Sequence, residues 1–194
     1  MIIRKLFKYE NAHIVRNCSS ERCAHSIHGH SYKIELFFTA DKLDNGMMIM
    51  DFGLMKGNIK DIIDSFDHAL TVWDKDKDLV EIAKKSSDRY IVLPMSSSAE
   101  AQAVLFFKII KKMLKKTKFN NGEKNVRLVS VRVHETDTGY AEAFEKDLKL
   151  IDFKLKDIEF SEQIKKEWKD PKMWDKLLSK KKYIFKNPKI EQQV

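Results

Sequence analysis

The chain has 194 residues, 43% hydrophobic and 34% charged. That suits one folded domain with a sizeable core and room for an appendage, and excludes a disordered or fibrous chain. No run of about 18 apolar residues occurs, and the two cysteines stand only five apart, so a membrane span and a secreted disulfide framework are excluded as well. The net charge of +8 can attract nucleic acid or a phosphorylated small molecule, although much of the excess lies in runs such as Lys180-Lys181-Lys182 that also suit solvated faces and tails.

Met1–Lys8 carries charges where an apolar export signal would lie, so a cytoplasmic protein with reduced thiols is expected. Residues 2–12 alternate as a first strand, with Ile3, Phe7 and Tyr9 on one face and His13 sharing their parity. A second strand is expected over 31–40, where Tyr32, Ile34, Leu36 and Phe38 share a face with His28 and His30. Gly29 between those histidines lets the backbone bend closely. Asp44-Asn-Gly46 marks a turn, and Met47–Met50 reads as a short apolar strand. Asp51 then stands as the cap of a helix with Met55, Ile59, Ile62, Ile63 and Phe66 on one stripe.

The segment 71–90 is charged and irregular, and a loop or short helix is expected there. Asp74-Lys-Asp-Lys-Asp78 is no calcium loop, because Leu79 occupies the glycine position and Lys85 the bidentate glutamate position. After the strand-like Tyr90–Leu93, Ser96-Ser-Ser-Ala-Glu100 opens a helix that runs to about Lys116. Residues 125–135 alternate again, with Val129, Val131, Val133 and Glu135 on one face, and Thr138–Glu145 reads as their hairpin partner. From 146 the composition shifts to lysine, acid and tryptophan. The expectation is an α+β domain over 1–145, with an antiparallel four-stranded sheet, two helices on one face and the order β-β-α-α-β-β. A charged, helical extension over 146–194 follows. The open sheet edges call for cover or for a partner chain.

Three histidines carry the chemistry. His28 and His30 project together from one strand and His13 from another. Three such nitrogens leave a tetrahedral zinc with one open position, whereas Cys18 or Cys23 with two histidines would close the site as a structural one. Cys23, five residues before His28, is placed to act as a base or nucleophile if a nearby cation lowers its thiol pKa; the plainer reading of either thiol is inert burial. Asp67-His68 is a carboxylate–imidazole pair suited to proton transfer near neutral pH. Glu135 stands where its strand pattern wants a hydrophobe. It could accept two parallel hydrogen bonds from a heterocycle, or lie exposed at the sheet rim.

Six segments taken in order resemble the 6-pyruvoyl-tetrahydropterin synthase / 6-carboxy-tetrahydropterin synthase family: Asn11-Ala-His13, Cys23 ahead of His28-Gly-His30-Ser-Tyr, Met50-Asp51-Phe52, Phe66-Asp67-His68, Ser98-Ala-Glu100, and Val133-His-Glu135-Thr136. The resemblance implies a tunnelling fold (T-fold) in which His13, His28 and His30 bind Zn2+ and Cys23, Asp67 and His68 move protons. It also implies that Glu135 grips a pterin ring, with Ser98 and Glu100 as further substrate contacts. The implied assembly is a homohexamer, a dimer of trimers with sites between subunits, and nucleic acid is not an expected partner. The implied reaction converts 7,8-dihydroneopterin triphosphate to 6-carboxytetrahydropterin, acetaldehyde and triphosphate for queuosine (7-deazapurine) synthesis. The alternatives are a 6-pyruvoyl product by triphosphate elimination, or a non-catalytic, zinc-stabilised RNA-binding member. The chain departs from the family pattern in its Cys23–His28 gap and in Ala101, where asparagine is common. His25 is an additional candidate proton carrier, and the 71–92 insert and the extension lie outside the pattern.

Overall fold

The computed structural model describes residues 1–186. Alternation shapes its first two strands. In β1 (Ile3–His13) Phe7, Tyr9, Asn11 and His13 are buried while Arg4, Lys8 and Glu10 are exposed. After a short helix α1 (Glu21–His25), β2 (His28–Thr39) pairs antiparallel with β1 in a register that sets Tyr9 opposite Tyr32 and His13 opposite His28.

The expected strand at Met47–Met50 does not form. The Asp44 carboxylate accepts from the Gly46 and Met48 N–H groups at 2.9 and 2.8 Å, folding the backbone around one side chain instead of extending it. The helix expected after Asp51 is divided at Gly57 into α2 (Gly53–Lys56) and α3 (Asn58–Asp64). Asp51 does accept from the Gly53 N–H.

The charged insert is regular structure. It forms β3 (Ala69–Trp73), α4 (Lys77–Ser86) and β4 (Tyr90–Leu93), with β3 parallel to the end of β1 and β4 parallel to β3. The side chain of Asp76 caps α4, whose Leu79 and Ala83 pack on Ile14, Val72 and Val92 in a small second core. Their neighbours Ile91 and Leu93 have the other parity and join the main core, so α4 covers the face of these strands opposite to it.

Next come α5 (Ala99–Lys115), the two-residue β5 (Thr117–Lys118), β6 (Arg127–His134) and β7 (Tyr140–Phe144). The segment after 146 supplies β8 (Glu159–Phe160), α6 (Glu162–Glu167), α7 (Met173–Leu178) and β9 (Phe185–Lys186). The sheet order is β7-β6-β2-β1-β3-β4-β8. Its first four strands are the expected antiparallel set, with α3 and α5 packed in the main core, and β3, β4 and β8 widen the sheet to seven. Phe153, Phe160, Trp168, Trp174 and Leu177 of the extension enter the same core, and Trp168 Nε1 donates to Ser65 Oγ at 2.8 Å. The expected basic tail lies, from residue 187 onward, outside the described residues. Among the described residues no helix is long and apolar enough to cross a membrane.

Candidate active site

Strand register builds the centre. His13 ends β1 opposite His28, and His30 lies opposite Asn11, so all three imidazoles leave the same face of the sheet. Ring centroids stand 4.6 Å apart for His13 and His28, 5.4 Å for His13 and His30, and 5.1 Å for His28 and His30. One ligand atom from each lies within 4.8 Å of the others. Neither cysteine joins this group, so the closed cysteine–histidine alternative is not built.

Backbone carbonyls orient two of the rings. His13 Nδ1 is 2.6 Å from the Ser97 carbonyl, and His28 Nδ1 is 2.9 Å from that of Ser26. With Nδ1–H donating, each ring keeps Nε2 bare for a metal. Burial pushes the His13 pKa down to about 4, against the raising influence of the Ser97 carbonyl, so this ring is neutral near pH 7. Three converging imidazoles, two of them held through Nδ1 by carbonyls, are a donor set that fits a divalent metal with an open coordination position.

Glu135, first residue past β6, is not a rim acid. Its Oε1 accepts from the Tyr32 hydroxyl at 3.1 Å and lies 3.6 Å from His13 Nε2 and 3.9 Å from His30 Nε2. Tyr32 is fully buried, and burial together with the Glu135 charge raises its pKa far above the usual phenol value.

The expected proton carriers lie apart from this group. Cys23 sits half-buried on α1, tied to the strand end by the Val15 N–H donating to its carbonyl at 2.9 Å. Cys18 Sγ bonds the Ser20 carbonyl, and exposed His25 stands 3.5 Å from Glu21. His68 Nδ1 is 2.9 Å from Asp67 Oδ2, and both residues are clamped to β1: Glu10 N–H donates to Asp67 Oδ1, and His68 N–H donates to the Glu10 carbonyl, each at 2.7 Å. Burial favours the neutral Asp67, but the Glu10 N–H, His68 and Arg89 outweigh it and hold this carboxyl below its ordinary value. His68 has φ of 51°, a left-handed conformation that a side chain adopts at a cost and that recurs at functional positions.

His68 lines a cleft of about 460 Å³ with Glu10, Asn11, Ala12, Gly29, His30 and Ser31. The cleft therefore runs along the strand ends from the Asp67–His68 pair to His30 of the imidazole centre. Ser98 Oγ accepts from the Ala101 N–H at 3.3 Å as the cap of α5, and Glu100 is exposed in its first turn. Sequence reasoning missed Ser97 and Gln102, both buried beneath the centre. The only signal for Gln102 was an amide on an otherwise apolar helix face.

A family model described as 6-pyruvoyl tetrahydropterin synthase matches residues 2–146. The chain belongs to this family. It is 41% identical over 199 aligned residues, covering the whole of both chains, to the 6-carboxy-5,6,7,8-tetrahydropterin synthase of Helicobacter pylori strain J99. The Aquifex aeolicus protein of the same name is 31% identical, with 72% of this chain and 95% of that one covered. Among solved structures, an uncharacterized Wolinella succinogenes protein matches with a TM-score of 0.60 at 19% identity, covering 75% of this chain and 98% of that one. The Caenorhabditis elegans 6-pyruvoyl tetrahydropterin synthase gives 0.51 at 19% identity, covering 74% and 94%. The fold is thus the T-fold that the resemblance implied. The extension lies outside the family match and inside the full-length match to the H. pylori relative.

Proposed function

We propose that the chain is a zinc-dependent, cytoplasmic 6-carboxy-5,6,7,8-tetrahydropterin synthase, acting on 7,8-dihydroneopterin triphosphate in queuosine synthesis. The observation that carries this reading is the full-length match to the H. pylori relative of that name. The orientation of the histidine set supports the metal.

In this reading His13, His28 and His30 hold Zn2+, which when bound supplies Lewis acidity at the substrate side-chain hydroxyls and eases loss of the adjacent C–H proton. Cys23 and His68 exchange protons with the substrate, and Asp67 fixes the His68 tautomer through Nδ1 and leaves Nε2 free. The Glu135 carboxylate accepts paired N–H bonds from the pterin ring. Ser98 and Glu100 complete the ring contacts; the Ser98 oxygen caps α5 while its hydroxyl proton stays free to donate.

Open sheet edges argue for sites shared between chains, as in the proposed homohexamer. Two edges are available for closure. Among the described residues, residues 3–9 of β1 have no strand partner on the side where β3 pairs with residues 11–13, and β7 pairs only with β6. β7 runs antiparallel to β1, so a neighbour's β7 can extend the antiparallel set along that free edge and bring one chain's His68 to another chain's metal centre.

Mass spectrometry of products from zinc-loaded protein and 7,8-dihydroneopterin triphosphate tests the reading. A 6-carboxytetrahydropterin with acetaldehyde is expected. A 6-pyruvoyl product would move the chain to the other branch of the family, and unchanged substrate would contradict the proposed activity.

A further inference from the structure

Beneath the imidazole centre lies a hydrogen-bonded network in which Tyr9, His13, Tyr32, Ser97 and Gln102 are all 0–1% exposed. The Tyr9 hydroxyl donates to Gln102 Oε1 at 2.6 Å, and Gln102 Nε2 donates to Ser97 Oγ at 3.1 Å. The Ser97 carbonyl is in turn the 2.6 Å partner of His13 Nδ1. Tyr9 stacks on Tyr32 with ring centroids 5.1 Å apart, and the Tyr32 hydroxyl donates to Glu135 Oε1 at 3.1 Å. Gln102 therefore bonds directly to the arm that sets the His13 tautomer and reaches the arm that holds the Glu135 carboxylate through Tyr9.

The position makes this informative. Gln102 lies in the first turn of α5 with Ala99, Ala103 and Phe106 buried around it, where an aliphatic residue would pack without needing any partner. Burying an amide costs free energy unless its groups are bonded, and a fully satisfied buried network fixes one geometry where an apolar side chain would not. The helix supplies a rigid base: Gln102 N–H donates to the Ser98 carbonyl at 2.9 Å, anchoring the amide to the turn that carries Ser97.

We propose that Gln102 is a positioning residue of the metal centre, its amide locking the Ser97 carbonyl onto His13 Nδ1. The proposal rests on the metal reading above, but not on the identity of the product. Outer partners of metal-bound histidines are worth about 10–100-fold in metal affinity, and Gln102 acts one bond further out.

The test is zinc affinity, measured by competition with a chromophoric chelator, together with the visible spectrum of the Co2+-substituted protein. Gln102→Leu is expected to weaken zinc binding about tenfold and to alter the Co2+ spectrum. A purely structural amide, present only to satisfy Tyr9, makes a different prediction for the double variant Tyr9→Phe/Gln102→Leu. Removing both partners then restores stability and zinc affinity together. The proposal expects stability to recover while zinc affinity stays low, because the Ser97 tether is still missing. Ser97→Ala cuts that tether alone without adding bulk, and is expected to lower zinc affinity even if Gln102→Leu does not fold. Zinc affinity within twofold of the parent in Ser97→Ala and the double variant would overturn the proposal. Absence of zinc binding by the parent chain would instead overturn the metal reading beneath it.

Discussion

The imidazole centre and the Asp67–His68 pair are built in opposite ways. The three histidines project from two strands in direct register, on the helix-covered face, with backbone carbonyls behind two of them. The Asp67–His68 pair hangs on the backbone of Glu10, with three quarters of the His68 side chain exposed. The three imidazoles come together within one chain, with His13 buried and His28 and His30 partly exposed. The Asp67–His68 pair is solvent-exposed and held in a left-handed backbone conformation. The difference teaches that metal binding and turnover can be separated by mutation.

The largest effect that sharpens this contrast is expected at the centre. His28→Ala should weaken zinc binding by more than the ~100-fold that loss of an outer partner can cost, read by metal analysis after dialysis. Cys23→Ala should keep stoichiometric zinc and lower turnover by about 10²–10⁴-fold, the usual worth of a positioned proton carrier. Retained turnover would remove Cys23 from its role and put Cys18 or His25 in its place. A smaller effect concerns the metal-free protein. Unfolded His13 titrates near 6.5 and the folded ring near 4, so the unfolded chain takes up the proton first as pH falls. Stability from this ring is complete above about pH 6.5 and is lost toward pH 4, by on the order of 3 kcal/mol. Urea midpoints of the metal-free protein across that window check it. The smallest effect concerns the contact that ties the extension to the core. Ser65→Ala strands Trp168 Nε1 and should cost about 1–3 kcal/mol of stability while leaving zinc stoichiometry unchanged, by thermal melting and metal analysis.

What was legible beforehand follows the same physics. Strand parity has a period of two, so the shared face of His13, His28 and His30 could be read from spacing once the two strands were placed. Glu135 was visible as an acid in an apolar pattern, although not that it reaches the imidazoles. The β3-α4-β4 insert was not legible, because α4 buries only Leu79 and Ala83 among ten largely charged residues. Its strands also pair in parallel across a crossover that local pattern does not reveal. The Met47–Met50 error came from one side chain: Asp44 takes two N–H groups that an extended strand would have offered to a neighbour. Ser97 and Gln102 could not be assigned, since their roles depend on bonds to residues 84 and 93 positions away.

The most direct measurement of the shared-site account is activity after mixing two inactive variants, His28→Ala and His68→Ala, with subunit exchange under mild denaturant. If each site draws its metal from one chain and its Asp67–His68 pair from another, random exchange restores roughly a quarter of the parent turnover, because some sites then receive both intact parts. Activity that stays at the level of the separate variants, with subunit exchange confirmed by mass spectrometry, would contradict the account and place the whole reaction within a single chain.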